Sequence, residues 1–388
     1  MFVIFLFDAI NSCRWQAVWL ASCYRAAARL AGNGNSNYGS TDLRMKSIPN
    51  VSISFQVHTD RNVADAVVKQ SVVEVPVPTA DEMPPGQVLI AISHSSINYK
   101  DALAAVAHPG VARKLPLVPG IDAAGVVVES KSAAWPEGAH VMISQEAFGT
   151  TYDGGWRQLA WVPADWLLPL PNGVSPAQAC GLGTAGITAA WAIQALIDHQ
   201  CFDREYPLLV TGASGGVGSF TIDILAALGQ RVTAVTSKIE QQSRLLNLGA
   251  SNVLLRSDFE DTTTRSLLST RWAGGVDTVG SIGLNTLIRS TADGGCVAAC
   301  GMASGTDLIL SVYPFILRGV ILYGIDCTRY SQPEKTVMWE RLTSQWLPQR
   351  ALAEIEVIGL DDVPDRVFSL IENRHSGRCV VELPALNY

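Results

Sequence analysis

Metal-ligand spacing is missing from this chain. Its eight cysteines, at positions 13, 23, 180, 201, 296, 300, 327 and 379, contain no CxxC pair. That speaks against a zinc knuckle or a disulfide frame and fits reduced thiols in the cytoplasm. Its six histidines form no ligand pair either: His94 falls in a strand-like run, His108 stands beside Pro109, and His375 sits in a loop. Charge is scarce, with 16% charged residues and a net charge of −7, so a basic nucleic-acid surface is not expected. No apolar run reaches the ~18 residues a membrane span needs.

What remains is a long, largely apolar chain. Its 388 residues exceed what one core usually supports, so two domains are expected. The first forty-odd residues do not match the rest. Met1 to Phe7 is apolar without the positive segment of a signal peptide. Arg14 to Leu30 can form an amphipathic helix, and Gly32 to Ser40 is a polar, glycine-rich linker ending shortly before Met45. Residues 1–50 therefore read as an extension outside the fold, with a transit peptide or membrane-surface helix as the alternative.

From Val51 onward the pattern is β-rich. Strand-like segments recur at Val67–Val77, Gln87–Ser95, Ala123–Glu129, Ala139–Ser144 and Trp156–Val162, separated by turns such as Met83-Pro-Pro-Gly86 and Asp153-Gly-Gly155. Strands this short and dense predict a small barrel or sandwich. After Pro176 the period changes to a helix (Ala177 to Ile197) and then to strand–helix alternation. The strands of that region are placed at Tyr206–Thr211, Arg231–Thr236, Ser251–Arg256, Gly275–Val279, Gly295–Gly301 and Val320–Asp326. A helix after Pro333 and a strand at Arg378–Leu383 close the chain. The expected architecture is α/β and discontinuous: a β-rich domain (51–175 and 330–388) with an inserted Rossmann domain (176–329). Cys296 and Cys300, four apart in one strand, read as small buried hydrophobes.

The most informative stretch is Leu209-Val-Thr-Gly-Ala-Ser-Gly-Gly-Val-Gly-Ser219. An apolar strand stops at glycines, and a helical pattern, Phe220 to Leu228, follows at once. Glycines let the backbone turn tightly and let a diphosphate approach the amides of a helix N-terminus. The strand before, the helix after and the second strand beyond give this motif its specificity. That second strand ends in Thr236-Ser237-Lys238, without the carboxylate that usually binds an unphosphorylated ribose. Two hydroxyls and an ammonium suit a 2′-phosphate, so NADPH is the expected cofactor; a solvated Lys238 is the plainer alternative. Ser214 has a superficial hydrolase context, but the glycine pattern is wrong for a nucleophile elbow.

The chain resembles the zinc-free branch of the medium-chain dehydrogenase/reductase superfamily, and within it the acrylyl-CoA reductase-like quinone oxidoreductases. The resemblance runs from about Ala66 to the C-terminus. It rests on Ser96-Ile-Asn-Tyr-Lys-Asp-Ala-Leu103, Pro119-Gly-Ile-Asp-Ala-Ala-Gly125, Gly183-Thr-Ala-Gly186, the glycine loop, Asp277-Thr-Val-Gly280, Gly294-Gly-Cys-Val-Ala-Ala-Cys-Gly301 and Pro314-Phe-Ile-Leu-Arg318. It implies a GroES-like catalytic domain around the Rossmann insert. In the alcohol dehydrogenases of the superfamily a Cys and a His ligate zinc where this chain has Asn98 and Ile121, and no metal is expected here.

The implied reaction is hydride transfer to an activated C=C bond, with donors needed at the enolate oxygen and a proton at the α-carbon. The resemblance suggests Asn98 to polarise the carbonyl, Tyr99 as donor or as a wall of the nicotinamide pocket, and Asp101 to orient its neighbours; solvent is an equal candidate for the proton. Asp122 is a weaker candidate, since an Asp after Pro-Gly is often only a turn residue. For the cofactor, the resemblance assigns Ser214, Gly215, Gly216 and Val217 to the diphosphate, Thr236, Ser237 and Lys238 to the 2′-phosphate, and Arg256 to the adenine side. Met302, Ile316 and Cys327 are expected at the nicotinamide half, with Asn373 and Arg378 closing the cleft. Arg113, Lys114 and Arg318 are candidates for a CoA-binding patch. The small-molecule substrate is an enoyl-CoA, with a quinone reductase and a non-enzymatic NADPH-binding protein as alternatives. The apolar strand Val320–Ile325 is expected at a sheet edge, paired across a two-fold axis in a homodimer.

Overall fold

The computed structural model describes residues 48–59, 68–144 and 147–386. The helix and linker expected before Met45 lie outside that range. β1 (Val51–Thr59) and β2 (Val68–Pro76) pair antiparallel as a two-stranded sheet. The β-rich region then supplies β3 (Gln87–Ile97), β4 (Asp122–Ser130), β5 (His140–Ser144), β6 (Leu159–Pro163) and β7 (Leu167–Pro169). These strands run from 3 to 11 residues and bury side chains around Trp156, Phe55 and Phe148.

The middle of the chain gives β8 (Leu208–Val210), β9 (Val232–Thr236), β10 (Asn252–Leu255), β11 (Gly274–Asp277), β12 (Cys296–Ala299) and β13 (Ile321–Gly324). They form one parallel sheet in the order β10-β9-β8-β11-β12-β13. Counted within that sheet this is 3-2-1-4-5-6, the order of a doubly wound dinucleotide-binding fold. Leu208, Leu209 and Val210 are wholly buried, as a central parallel strand covered on both faces must be. β13 is the edge, where the sequence pattern put it.

The chain then returns. β14 (Glu356–Ile358) and β15 (Cys379–Glu382) join the first region, whose sheet runs β14-β15-β3-β4-β5-β7, with β6 also on β3. The sequence reading found β15 but not β14, nor the helix Val363–Ile371. β14 is three residues long and mostly exposed, so its pattern carries no period.

The helix Pro176–Asp198 packs on both large sheets. Ser175 caps it, its hydroxyl accepting from the Gln178 amide while Gln178 returns the bond, with Pro176 at the first position. It is long and apolar enough to cross a membrane, yet 78% of its most apolar window is buried inside the fold. It is also broken: Gly183 has φ 42° and ψ −146°, so two helices meet there. Position 183 lies against the Asp122 carboxylate, and a Cβ would overlap it.

Candidate active site

The parallel sheet reverses its winding between β8 and β11, and ligands bind such folds at the carboxyl ends of the strands flanking that reversal. There Thr211 donates to Asp277 at 2.7 Å, and Asp277 also accepts from the Gly280 amide at 2.7 Å. These bonds shape the two loops that leave β8 and β11. Gly212, at φ +56°, turns the first of them, and a side chain there would strike Thr278. The loop ends at Gly215, the N-cap of the helix Gly216–Ala227, whose first amides lack intrahelical acceptors.

These elements wall a cleft of about 410 Å³. Ser214, Gly215, Gly216 and Val217 form its floor; Thr236, Ser237, Lys238 and Arg256 line one end. From the β-rich side come Asn98 and Tyr99, and from the returning segment Asn373, His375 and Arg378. Sequence positions almost three hundred apart thus meet in one place. The Lys238 ammonium donates to the His375 carbonyl at 2.5 Å and to the Ser376 hydroxyl at 3.3 Å. Thr236 donates to Ser214 at 3.2 Å, and the Gly377 amide to the Ser214 carbonyl at 2.8 Å. The returning loop is therefore stitched to the glycine loop.

Arg256 begins a short helix instead of ending a strand, and its guanidinium donates to Ser304 at 3.3 Å. Asn373 takes a left-handed φ of 54°, ending the last helix. Met302 (62% exposed) and Ile316 (71% exposed) stay outside the cleft lining. Ile316 rides on the short helix Tyr313–Arg318 beside the sheet edge, facing outward. Cys327 is half-buried and packs against the core. Arg318 is no part of a cleft-mouth patch, because it donates to the carbonyls of Arg289, Thr291 and Leu268. Lys114 pairs with Asp153 at 3.4 Å.

Behind the cleft lies a buried polar network that the sequence reading underrated. Asp122, 1% exposed, accepts from Ser96 at 2.7 Å, from the Asn98 amide at 2.8 Å and from the Thr184 hydroxyl at 2.8 Å. The Thr184 backbone N–H also reaches it, at 2.9 Å. The carboxylate thereby caps the second half of the broken helix and anchors β3. Asp101 is wholly buried and accepts from the amides of Asn98, Gly120 and Ile121, at 2.8, 3.1 and 2.8 Å. Burial, with the Asp122 charge added, pushes its carboxyl up to about 7 against those bonds. Asp101 is not among the residues lining the cleft.

Asn98 does not have the freedom to polarise a carbonyl. Its amide nitrogen donates to Ser96, Asp101 and Asp122, at 3.0, 3.1 and 2.8 Å, and its oxygen accepts from Arg378 at 3.0 Å. Arg378, 6% exposed, spends further N–H groups on the carbonyls of Ile97, Gly181 and Cys180. Burial lowers the guanidinium pKa while nearby Asp122 opposes the shift. Nothing in this set suits zinc: an amide already saturated, the hydrocarbon of buried Ile121 and a guanidinium occupy the locus. Among the described residues no cluster of three His, Cys, Asp or Glu groups could hold a metal ion.

Comparison with known proteins gives matching results. Residues 84–172 match the family model for the alcohol dehydrogenase GroES-like domain, and residues 216–344 that for zinc-binding dehydrogenase. Acrylyl-CoA reductase AcuI of Ruegeria pomeroyi is 40% identical over 78% of this chain and 92% of its own length. Putative quinone oxidoreductase YhfP of Bacillus subtilis is 39% identical over 79% of this chain and 93% of its own. Among solved structures, the yhdH oxidoreductase of Salmonella enterica in complex with NADP superposes with a TM-score of 0.78 at 34% identity, covering 86% of this chain and all of its own. Bacillus subtilis yhfP with NAD bound gives 0.80 at 37%, with the same coverages.

Proposed function

The chain belongs to the medium-chain dehydrogenase/reductase superfamily, and from that premise we propose that it is an NADPH-dependent reductase of the activated C=C bond of an α,β-unsaturated acyl-CoA, working without zinc. One observation carries the cofactor reading: the strand beside the glycine loop ends in Thr236, Ser237 and Lys238, all on the cleft wall, with no carboxylate among them. The cradle also fits a diphosphate. A Cβ at Gly216 would lie 2.5 Å from Arg378 Cδ, so the loop stays open only because glycine occupies it.

In this reading the first-turn amides of the helix Gly216–Ala227, with Ser214 and Val217, hold the diphosphate. Thr236, Ser237 and Lys238 hold the 2′-phosphate, and Arg256 with Ser304 borders the adenosine end. Bound NADPH supplies a hydride to the β-carbon of the substrate. Tyr99, 42% exposed on the cleft wall, contacts the bound molecules, while Asn98, Asp101, Asp122 and Arg378 keep Tyr99 and the glycine loop in register. Without a Lewis acid, an unactivated alcohol is a poor substrate, whereas a conjugated thioester accepts the developing charge itself.

The acyl-CoA substrate is supported by the 40% identical acrylyl-CoA reductase, and a quinone acceptor by the 39% identical YhfP. NADPH oxidation followed in parallel with acrylyl-CoA, crotonyl-CoA and a naphthoquinone separates them. Turnover with acrylyl-CoA well above the quinone is expected. NADPH binding without turnover of any acceptor would leave a non-enzymatic binding protein.

A further inference from the structure

At the Arg256 end of the cleft, one acidic side chain has no task in the fold. Glu260 is half-buried and lines the cleft with Arg256, Phe259, Val279 and Gly283. Its Oε1 lies against Gly283, 3.6 Å from where a Cβ at that position would stand, and Gly283 is itself a wall residue. The carboxyl group is therefore held at the cleft wall. Among the described residues it makes no hydrogen bond and no ion pair. Arg256, one helical turn earlier, donates to Ser304 at 3.3 Å and leaves Glu260 unpaired.

The loop that carries Glu260 is tied down on both sides. Its backbone N–H closes the short helix Arg256–Phe259 on the Arg256 carbonyl at 2.9 Å. One residue on, the Asp261 N–H donates to the Thr286 hydroxyl at 2.9 Å, and the Asp261 carboxylate pairs with Arg289 at 3.1 Å. Thr286 and Arg289, both buried, belong to the helix Ser281–Ser290 that starts beside the cleft. The backbone is thus fixed before any ligand arrives, and only one side chain is left to order on binding. A half-buried acceptor in a fixed position, with no donor of its own, is completed by an N–H from a ligand.

The topology says which N–H. Strands β8, β9 and β10 form the half of the sheet over which the first mononucleotide of a dinucleotide lies. Glu260 follows β10, outboard of Lys238 beyond the end of β9. With the ribose phosphate at Lys238, the part of the cofactor lying further out is the purine base. A carboxylate repels phosphate but accepts from an amino group. We infer that Glu260 reads the base of the cofactor, its carboxylate accepting a hydrogen bond from the 6-amino group of adenine; this rests on the NADPH reading above. The same carboxylate disfavours hypoxanthine and guanine, whose 6-oxo group sets lone pair against lone pair. Glu260 is a specificity residue for the base and takes no part in hydride transfer.

The test measures binding to the full chain with no acceptor present. It follows the nicotinamide fluorescence of NADPH and of its hypoxanthine analogue, reduced nicotinamide hypoxanthine dinucleotide phosphate. The unaltered protein is expected to bind NADPH about 10-fold or more tightly than the analogue, the range for one charge-assisted hydrogen bond. Glu260→Gln, whose amide can donate or accept, should bring the two affinities together. Glu260→Ala should weaken NADPH binding without tracking a loss of melting temperature, and should leave the analogue no weaker than before. Equal affinities in the unaltered protein overturn the inference while the NADPH reading stands, as does a preference for NADPH that survives both substitutions. If the unaltered protein binds neither dinucleotide, the cofactor reading itself has failed and this role falls with it.

Discussion

Lys238 shows how one side chain joins a ligand site to the chain that closes it. Its ammonium bonds the carbonyl of His375 and the hydroxyl of Ser376, and it lines the cleft where a phosphorylated ribose would sit. Lys238→Ala removes a charge-assisted bond, worth about 1.5–3 kcal/mol. Calorimetry should therefore show NADPH binding weakened by roughly 10- to 100-fold, with NADH binding much less affected.

His375 carries a pH signature in the same corner. Burial, then the charges of Arg366, Arg378 and Lys238, push its imidazole down from 6.5 to about 4. Its Nδ1 lies 3.1 Å from an Arg366 N–H, so the neutral ring accepts there. Below pH 6.5 the unfolded chain takes up a proton that the folded ring refuses until about 4. The stability contributed by His375 is therefore complete above 6.5 and drains away as pH falls toward 4. The midpoint of denaturant melts should fall as pH is lowered between those limits, and His375→Gln should flatten that pH dependence.

Among the elements, the helix Pro176–Asp198 is the one that most needs its surroundings. A continuous helix is what its apolar, well-capped sequence suggests. Instead Gly183 breaks it, the Thr184 amide caps on Asp122, and the upstream carbonyls of Cys180 and Gly181 accept from Arg378. The break is thus set by a carboxylate and a guanidinium supplied by other strands. Gly183→Ala combines a strained positive φ with an overlap on Asp122, two effects of order 1–3 kcal/mol each. A lower melting temperature is expected together with weaker NADPH binding, because Asn98 shares that carboxylate. Full retention of both would mean the break is not held by Asp122.

For the assembly, the exposed edge is decisive. β13 ends the parallel sheet with Leu322 and Tyr323 exposed at 37% and 40%, beside Ile309 at 84% and Ile316 at 71%. An unpaired apolar edge of this kind invites pairing, and a second copy across a two-fold axis would cover it with the same residues. Light scattering should give twice the 41.5 kDa chain mass. Ile316→Lys with Tyr323→Lys should yield monomer, and a monomeric unaltered chain at micromolar concentration would refute the pairing. Ile316, expected beside the cofactor, sits exposed on the helix Tyr313–Arg318, outside the cleft lining.

How much could be read before folding depends on the range of each interaction. The strand–glycine–helix loop, the missing acid after β9, the strand spacing and the edge position of β13 all follow from neighbours a few residues apart, where backbone sterics and hydrophobic period operate. Asn98, Asp122, Thr184 and Arg378 are different. The hydrogen bonds that link them to one another span 24 to 280 positions, and which donors saturate which acceptors depends on how two sheets and a broken helix pack. So Asn98 read as a free amide and proved fully bonded, and Asp122 read as a turn residue and proved a hub. Local chemistry along the chain was enough to announce a dinucleotide-binding fold; three-dimensional packing alone apportioned the polar atoms, because a buried donor commits to whichever acceptor the fold brings within about 3 Å.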